Sequence, residues 1–416
     1  MLQLFKRIFT SKFPLQGGRG FLILLFCCNV AMAQNVDSSH IRISLLTCTP
    51  GEELYSTFGH SAIRLTDSSR LKETDKIIDV VFSYGNFEFL DNSFYLKFIR
   101  GKLPYYVDCQ SFYPDGEDPG FESEYKTTNR GITEQVLNLT GPEKITIENA
   151  LLINIEPQNR YYKYDFFFDN CTTRNRDIII KNDTAFRSFI PAMPAGTTFR
   201  QAIHLYLDRN NKDWCKLGID LLLGKPCDAV MTTEQSQFLP DNLMTTFDSC
   251  KSSTPLVLSK KELYPVTKQP ASFFIFSPTL VFWLLLLIIV VFSFNPAPFA
   301  RTFLVGFDGF LFFLTGFFGI LFIFMWTCTD HTLCSDNYNL LWAWPTHIII
   351  AFLIKSKNNF VKKYFGFTAV FLTLLLLAWF FLPQQLNTAL LPIVILLIYR
   401  STARCITPAN NINNAA

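Results

Sequence analysis

Apolar and polar residues follow two different patterns along the chain, and the change falls near residue 270. Between residues 34 and 270, apolar stretches are short, and Gly, Pro, Asn and Asp interrupt them often, as in a folded water-soluble domain. After Pro270, the apolar stretches become much longer. The pattern therefore predicts an extramembrane domain over residues 34–270, a membrane region over 271–400 and a tail over 401–416.

The membrane region contains five apolar runs, which are Ser272–Phe294, Thr302–Trp326, Leu340–Ile354, Tyr364–Leu382 and Ala389–Tyr399. A helix needs about 20 apolar residues to cross the hydrocarbon core of a bilayer. The third run is shorter than the first two, and the fifth is shorter still. We expect these runs to form an all-α bundle of about five transmembrane helices.

The N-terminus has the three parts of a secretory signal peptide. A basic segment between Lys6 and Arg19 precedes the run FLILLFCCNVAMA, which ends in a small-x-small pattern at Ala33. This arrangement predicts cleavage after Ala33 and export of the domain that follows. An uncleaved first membrane anchor is the alternative, although the apolar run is short for a span.

Basic residues predict the orientation of the membrane region. Arg301, Arg400 and the strongly basic segment Lys355–Lys363 fall on one side of the predicted bundle, and the loops Thr327–Asn339 and Pro383–Thr388 on the other side contain no Lys or Arg. The positive-inside rule places the basic segments and the 401–416 tail in the cytoplasm. The two other loops then face the same side as the exported domain.

Composition and charge narrow the classes of function. Hydrophobic residues make up 49% of the 416 residues, and 44 are Phe, which fits a membrane protein. The net charge is +3, and four positive charges precede Gln34, so the rest of the chain is near 3 − 4 = −1. A nucleic-acid partner usually requires a basic surface, and we expect none here.

Cysteine spacing predicts neither a metal site nor a cofactor. There is no CxxC motif and no Cys/His spacing typical of zinc. Disulfides could form in the exported parts, because that compartment is oxidising. Cys328 with Cys334 is one possible pair, and Cys215 with Cys227 is another.

Cys171 is the strongest candidate for chemistry. It lies in DFFFDNCTTRNRD (Asp165–Asp177), where Asp169 or Asn170 can cap a helix that begins at the cysteine. The N–H groups and the positive end of the helix dipole lower the pKa of a thiol in the first turn. The same N–H groups can stabilise an oxyanion. The alternative is a buried structural cysteine or one half of a disulfide.

A thiol nucleophile needs a base, and the 34–270 domain contains three histidines. His40 lies close to the predicted cleavage site, and His204 lies in a helical pattern where a structural role is expected. His60 follows Gly59 and begins HSAIRL, which alternates like a strand. A histidine at the start of a central strand, facing a cysteine at a helix start, is the geometry of papain-like thiol enzymes.

A third group should orient the imidazole, and the next predicted strand, Ile77–Phe89, supplies candidates. Tyr84, Asn86 and Glu88 alternate on one face of this strand. We predict Asn86 as the orienting residue and Glu88 as the second choice. Ordinary outward-facing polar residues are the alternative.

Arg174 and Tyr84 are the predicted substrate-binding residues. Arg174 lies one turn after the cysteine, where it could hold a phosphate or a carboxylate, or could equally be a solvated helix residue.

These segments resemble a known family. FGHSAIRL followed by FFDNCTTR resembles the circularly permuted branch of the NlpC-type papain-like superfamily, in which the histidine strand precedes the cysteine helix. The whole chain resembles the bacterial Lnb family, in which a periplasmic domain precedes several membrane helices. The segment DHTLCSDNYNLLW (Asp330–Trp342) also resembles that family.

The resemblance implies an α+β papain-like domain, of the permuted NlpC type, in the periplasm, followed by the all-α transmembrane bundle. It implies a lipoprotein N-acyltransferase that spans the bacterial inner membrane several times. The acyl donor would be a membrane phospholipid, and the acceptor the α-amino group of an S-diacylglyceryl-cysteine lipoprotein. Cys171 would be the nucleophile and His60 the base. The resemblance assigns neither the third catalytic residue nor the roles of His331 and Asn339.

Two other functions remain open at this point. A membrane-tethered cysteine peptidase or amidase acting on peptidoglycan would use the same Cys171 and His60 but would want an open polar cleft. The flank YYKYDFFFDN is instead strongly aromatic. A non-enzymatic membrane assembly factor would need neither residue.

Overall fold

A seven-stranded antiparallel sheet forms the centre of the N-terminal domain. The computed structural model describes residues 38–69, 77–88, 93–185, 187–266 and 276–406, so the predicted signal peptide lies outside the described residues. The strands are β1 (Ile41–Cys48), β2 (His60–Asp67), β3 (Ile78–Asn86), β4 (Pro104–Ser111), β5 (Ile132–Leu137), β6 (Tyr161–Lys163) and β7 (Val257–Tyr264). Their order in the sheet is β6-β4-β3-β2-β1-β5-β7.

Within the described residues, eight α-helices accompany the sheet. They are α1 (Phe94–Ile99), α2 (Phe121–Thr127), α3 (Gly141–Asn154), α4 (Cys171–Asn182), α5 (Phe199–Arg209), α6 (Asp213–Leu222), α7 (Thr233–Ser236) and α8 (Pro240–Asp248). The predicted helix before the cysteine is α3, which begins with a capping box between Thr140 and Glu143. The predicted α+β fold of this domain is confirmed.

Helices cover the sheet on both faces. This explains why apolar and polar residues do not alternate regularly along β1. Leu45 of β1 packs with α3, α4 and α8 on one face. The next residue, Leu46, packs with Phe121 and Tyr125 of α2 on the other face. Strands buried on both faces read as continuous apolar runs. The helix α4 contacts β2 and β3 directly, and this contact positions the candidate site.

The C-terminal region is helical, as predicted. Its helices are α9 (Pro278–Ser293), α10 (Pro298–Thr327), α11 (Thr346–Phe352), α12 (Asn359–Ala378) and α13 (Leu391–Ile406). Within the described residues, three segments are long and apolar enough to cross a membrane: Pro298–Thr327, Asn359–Phe381 and Thr388–Ile406. The helix α9 is apolar but shorter.

The third predicted run, Leu340–Ile354, contains one short α-helix. Its helical part is only the seven-residue α11, which begins just after Pro345. Both this helix and the segment before it lie close to α10: a Cβ on Gly316 would meet the Ile348 nitrogen, and one on Gly319 would meet the Ala343 carbonyl. One side of the run thus packs against α10, whereas Ile349 and Phe352 are exposed on the other side.

The fifth run forms a longer helix than its apolar residues predict. Residues Arg400 and Arg404, at the end of α13, both bond to the carboxylate of Asp308 in α10. Asp308 is fully buried. Because these charges are paired inside the bundle, the helix continues through them to Ile406.

The loops predicted to face outward carry hydrogen bonds between the membrane region and the N-terminal domain. Gly224 N donates to Leu333 O over 2.8 Å. Gln384 Nε2 donates to Leu223 O over 3.0 Å, and Asn387 Nδ2 donates to Asp220 Oδ2 over 2.8 Å. These contacts agree with the orientation predicted from the basic residues. The described residues belong to one compact unit.

We expect Gly224→Ala to loosen this junction, because a Cβ at Gly224 would lie 1.7 Å from the Ser335 carbonyl oxygen. Overpacking of this kind costs about 1–3 kcal/mol. Thermal unfolding of the full-length protein in detergent should therefore shift to lower temperature.

The matched control is Gly218→Ala in α6, where a Cβ would meet nothing within 4 Å. Alanine in a helix interior is more stable than glycine by about 0.5–1 kcal/mol. An unfolding temperature that is the same for both variants would show that the Gly224 contact does not hold the junction.

Candidate active site

The start of α4 places Cys171 in the first helical turn. Asn170 is the N-cap, and its Oδ1 accepts hydrogen bonds from Thr172 N (2.8 Å) and Thr173 N (2.9 Å). Its Nδ2 donates to the carbonyls of Phe166 and Phe238, each over 2.8 Å. The cap side chain thus uses both of its polar atoms to fix the helix start. Asn170, rather than Asp169, fills the predicted capping position.

One backbone N–H group of this turn is not used by the helix cap. Asn170 N donates to Thr173 Oγ1 over 2.9 Å, and the cap oxygen takes the N–H groups of Thr172 and Thr173. The remaining N–H of the first turn is that of Cys171 itself. A helix N-terminus with such a group next to a thiol is suited to stabilise an oxyanion.

A tight turn brings His60 to the start of β2. Gly59 has φ +81, and a Cβ there would lie 2.7 Å from the Cys48 carbonyl. No other residue type combines this backbone conformation with this close approach. The Nε2 atom of His60 shares a hydrogen bond of 2.9 Å with Ser83 Oγ, which leaves Nδ1 for the thiol.

The structure brings Cys171 and His60 together, and the surroundings alter the pKa of the thiol. The side chain of Cys171 is buried, which by itself raises the pKa. The charge and hydrogen bonding of His60, the backbone N–H of Ser61 and the hydroxyl of Thr172 all lower it. The net effect is a pKa of about 7, so a substantial part of the thiol is ionised near neutral pH.

The imidazole bonds to Ser83 rather than to the predicted Asn86. Register explains the difference: Ala62 pairs with Ser83, so both lie on the same face of the sheet as His60. A β-bulge then interrupts β3 between Tyr84 and Asn86. The Nδ2 atom of Asn86 donates to the Ser83 carbonyl over 2.8 Å, so Asn86 supports the backbone that carries the hydroxyl. Glu88, the second choice, is exposed.

The two predicted substrate-binding residues already have partners within the protein. The guanidinium of Arg174 bonds to both oxygens of Asp169, at 2.7 and 2.8 Å, and lies 3.5 Å from the Tyr162 ring centroid. An anionic substrate group would have to compete with that carboxylate. Tyr84 is only 1% exposed, and its hydroxyl accepts a hydrogen bond from Asn154, which leaves it no exposed face for a substrate.

A row of aromatic rings leads away from the thiol. A Cβ on Gly85 would lie 3.6 Å from both Cys171 Cβ and Tyr164 Cε2, so the Tyr164 ring flanks the site. Tyr164 stacks on Tyr105 with centroids 4.3 Å apart, and Tyr105 meets Phe87 at 5.3 Å. Burial raises the pKa of Tyr105 to about 12. The wall beside Cys171 is thus apolar and poorly solvated.

Two outer-loop residues whose roles the sequence left open connect the membrane region to the domain. His331 Nε2 lies 3.2 and 3.1 Å from the carbonyl oxygens of Phe98 and Ile99 at the end of α1. Asn339 Nδ2 donates to the Asp220 carbonyl over 3.1 Å. Loop composition alone gave no signal for these contacts, because all three partners are backbone carbonyls.

The other histidine and the cysteines have structural surroundings. His204 shares a hydrogen bond of 2.9 Å with the buried Asp220, as expected for a structural histidine. The nine cysteines in the described part of the chain are free thiols, so neither suggested disulfide is formed. Across the described residues, no cluster of three or more His, Cys, Asp or Glu side chains could hold a metal ion.

Comparison with known proteins gives two matches, one for each part of the chain. Residues 29–211 match the family model described as the Lnb N-terminal periplasmic domain. Residues 268–411 match the model described as the Lnb transmembrane domain. No curated protein and no solved structure matches the chain.

We expect alkylation of Cys171 by iodoacetamide to rise with pH and to reach half of its maximum near pH 7, because the thiolate is the reacting form. His60→Ala removes interactions that lower the pKa of the thiol. The alkylation rate at pH 7 should then fall by about tenfold or more. Mass spectrometry of the Cys171 peptide measures this rate separately from the other thiols.

Cys250 is the internal control. It is a half-buried free thiol, and burial raises its pKa above the usual range. Its alkylation should respond equally to pH in both proteins. An unchanged pH profile for Cys171 in His60→Ala would contradict the pairing of the two side chains.

Proposed function

Because the chain belongs to the Lnb family, we propose that it is an integral-membrane lipoprotein N-acyltransferase of the bacterial inner membrane. It transfers an acyl chain from a membrane phospholipid to the α-amino group of an S-diacylglyceryl-cysteine lipoprotein. The observation that carries the proposal is the activated thiol of Cys171 at a helix N-terminus, beside His60 and an apolar aromatic wall.

The first half-reaction acylates the cysteine. In the tautomer whose Nε2–H donates to Ser83 Oγ, the Nδ1 atom of His60 has a lone pair for the thiol proton. The thiolate attacks the ester carbonyl of the phospholipid, and the negative oxygen that forms is stabilised by the Cys171 N–H. The C–O bond then breaks, and the alkoxide takes the proton from His60. Lysophospholipid leaves, and a thioester remains on Cys171.

The second half-reaction transfers the chain to the acceptor. The α-amino group of the diacylated lipoprotein attacks the thioester carbonyl, and His60 takes a proton from the nitrogen as the bond forms. The C–S bond breaks, and the sulfur leaves as thiolate or takes the proton back. The amide product has gained one acyl chain, and the enzyme returns to its first state.

The surroundings of the thiol support a lipid substrate over a cell-wall fragment. Tyr164, Tyr105 and Phe87 form an apolar wall, whereas a peptidoglycan fragment is polar and would need exposed hydrogen-bond partners. The outer loops of the membrane region bond directly to this domain. Such a connection would hold the thiol near the bilayer, in which both the acyl donor and the acceptor are anchored.

The direct test is mass spectrometry of the N-terminal peptide of a reporter lipoprotein, from cells that depend on this protein alone for maturation. We expect three acyl chains with the wild type and only two with Cys171→Ser. Loss of a general base lowers rates by about 10²–10⁴-fold, so His60→Ala should leave almost all of the reporter diacylated.

The matched control is Cys250→Ser, which changes another free thiol of the same domain and should leave three chains on the reporter. A reporter that stays diacylated with the wild type would reject the acyltransferase function. Purified peptidoglycan fragments would then be the next substrate to assay.

We expect Ser83 to be a positioning residue for His60. Ser83→Ala removes one hydrogen bond to the imidazole, which is worth about 1 kcal/mol, so acyl transfer should fall by about five- to tenfold. The pH profile of Cys171 alkylation should shift with it, and Ser83→Thr should restore part of the rate. Glu88→Ala, on the exposed end of the same segment, should have no effect. If Glu88→Ala slowed transfer as much as Ser83→Ala, the assignment of Ser83 would be wrong.

A further inference from the structure

Helix α1 exposes a continuous apolar face. Tyr95, Leu96, Phe98 and Ile99 are 75%, 57%, 48% and 43% exposed, so four of its six residues are apolar or aromatic side chains on the surface. Single exposed apolar residues are common, but a contiguous patch of them usually marks a binding surface. Phe94, by contrast, points inward and is buried.

The outer end of a membrane span holds this helix. Asp330 N donates to the Arg100 carbonyl over 3.0 Å, and His331 Nε2 meets the carbonyls of Phe98 and Ile99. Asp330 follows Thr327, the last residue of α10, by three positions. Because α10 is long and apolar enough to cross a bilayer, its end marks the level of the membrane surface, and α1 lies at that level.

Basic residues flank the apolar face. Arg100 and Lys102 are exposed just after α1, and Lys97 lies within it. An apolar helix face with Lys and Arg beside it is typical of helices that lie in the interface of a bilayer. The apolar side chains enter the acyl region there, and the cations meet the lipid phosphates.

The aromatic row described above begins at this helix. Phe98 stacks on Phe94 with centroids 6.1 Å apart, and Phe94 meets Phe87 at 5.8 Å. From Phe87, the row continues through Tyr105 and Tyr164 to the side of Cys171. A chain of aromatic ring contacts thus connects the exposed face of α1 with the side of the thiol.

We propose that α1 inserts its apolar face into the outer leaflet of the phospholipid bilayer and forms the entrance through which an acyl chain reaches Cys171. The membrane contact itself stands on the position and exposure of α1. The second part, the route of the acyl chain, rests on the proposed acyltransferase function.

The test places the photoreactive residue p-benzoylphenylalanine at single positions of the full-length protein in vesicles of phosphatidylethanolamine and phosphatidylglycerol. Position 98 is the test site. Phe310, which is 63% exposed on α10, is the positive control. Leu258, which is 66% exposed on β7 at the opposite edge of the sheet, is the negative control. Mass spectrometry detects lipid adducts on each peptide.

We expect lipid adducts at positions 98 and 310 and none at 258. The proposal would be overturned if position 310 reacts with lipid but position 98 gives no lipid adduct or crosslinks only to protein. This readout does not require turnover, so it separates the membrane contact from the proposed function. If the wild type fails to acylate the reporter but position 98 still crosslinks to lipid, only the acyl route is lost.

A second measurement addresses the route. Leu96→Asp places a charge on the proposed membrane face and should slow acyl transfer from vesicle phospholipid by at least tenfold, whereas Leu258→Asp should not. Alkylation of Cys171 in each variant reports whether the site has folded. A wild-type transfer rate in Leu96→Asp would exclude α1 as the entrance.

Discussion

The hydrogen bonds of Asn170 hold the candidate site together. Its oxygen fixes the first turn of α4, and its nitrogen ties that turn to the chain at Phe166 and Phe238. The bonds to Thr172, Thr173 and Phe238 are buried, so each of them, if lost, would leave an unsatisfied polar group at a cost of about 1–3 kcal/mol. Together with the packing of α4 against β2 and β3, this side chain sets the position of Cys171 relative to His60.

The local part of the site could be predicted from sequence, and the part that depends on strand register could not. A capping residue before Cys171, and Gly59 before His60, are signals that neighbouring residues carry. The partner of His60 depends on how β2 pairs with β3, and on the bulge at Gly85 that breaks the alternation used to choose Asn86. A single inserted residue changes which side chains share a face, and nothing in the alternating pattern marks it.

In the membrane region, too, contacts between residues distant in sequence could not be predicted. Hydrophobicity identified the apolar runs, and the distribution of Lys and Arg identified the outward loops. Hydrophobicity did not show that the run Leu340–Ile354 packs closely against Gly316 and Gly319 of α10. It also ended the last helix too early, because Asp308 neutralises Arg400 and Arg404 inside the bundle. Pairing between distant residues, rather than composition, decides both cases.

In the mechanism we propose, a thioester on Cys171 would let one apolar route serve two lipid-anchored substrates. The lysophospholipid would leave before the acceptor amine reacts, so the two lipids would not need to occupy the site together. The proposed reaction also requires the site to lie close to the bilayer, because both proposed substrates are anchored in it. The bonds from Asp330 and His331 to the end of α1, and from Gly224 to Leu333, join the N-terminal domain to the loops of the membrane region. In the proposed mechanism, these bonds would keep the thiol near the lipid surface for both half-reactions.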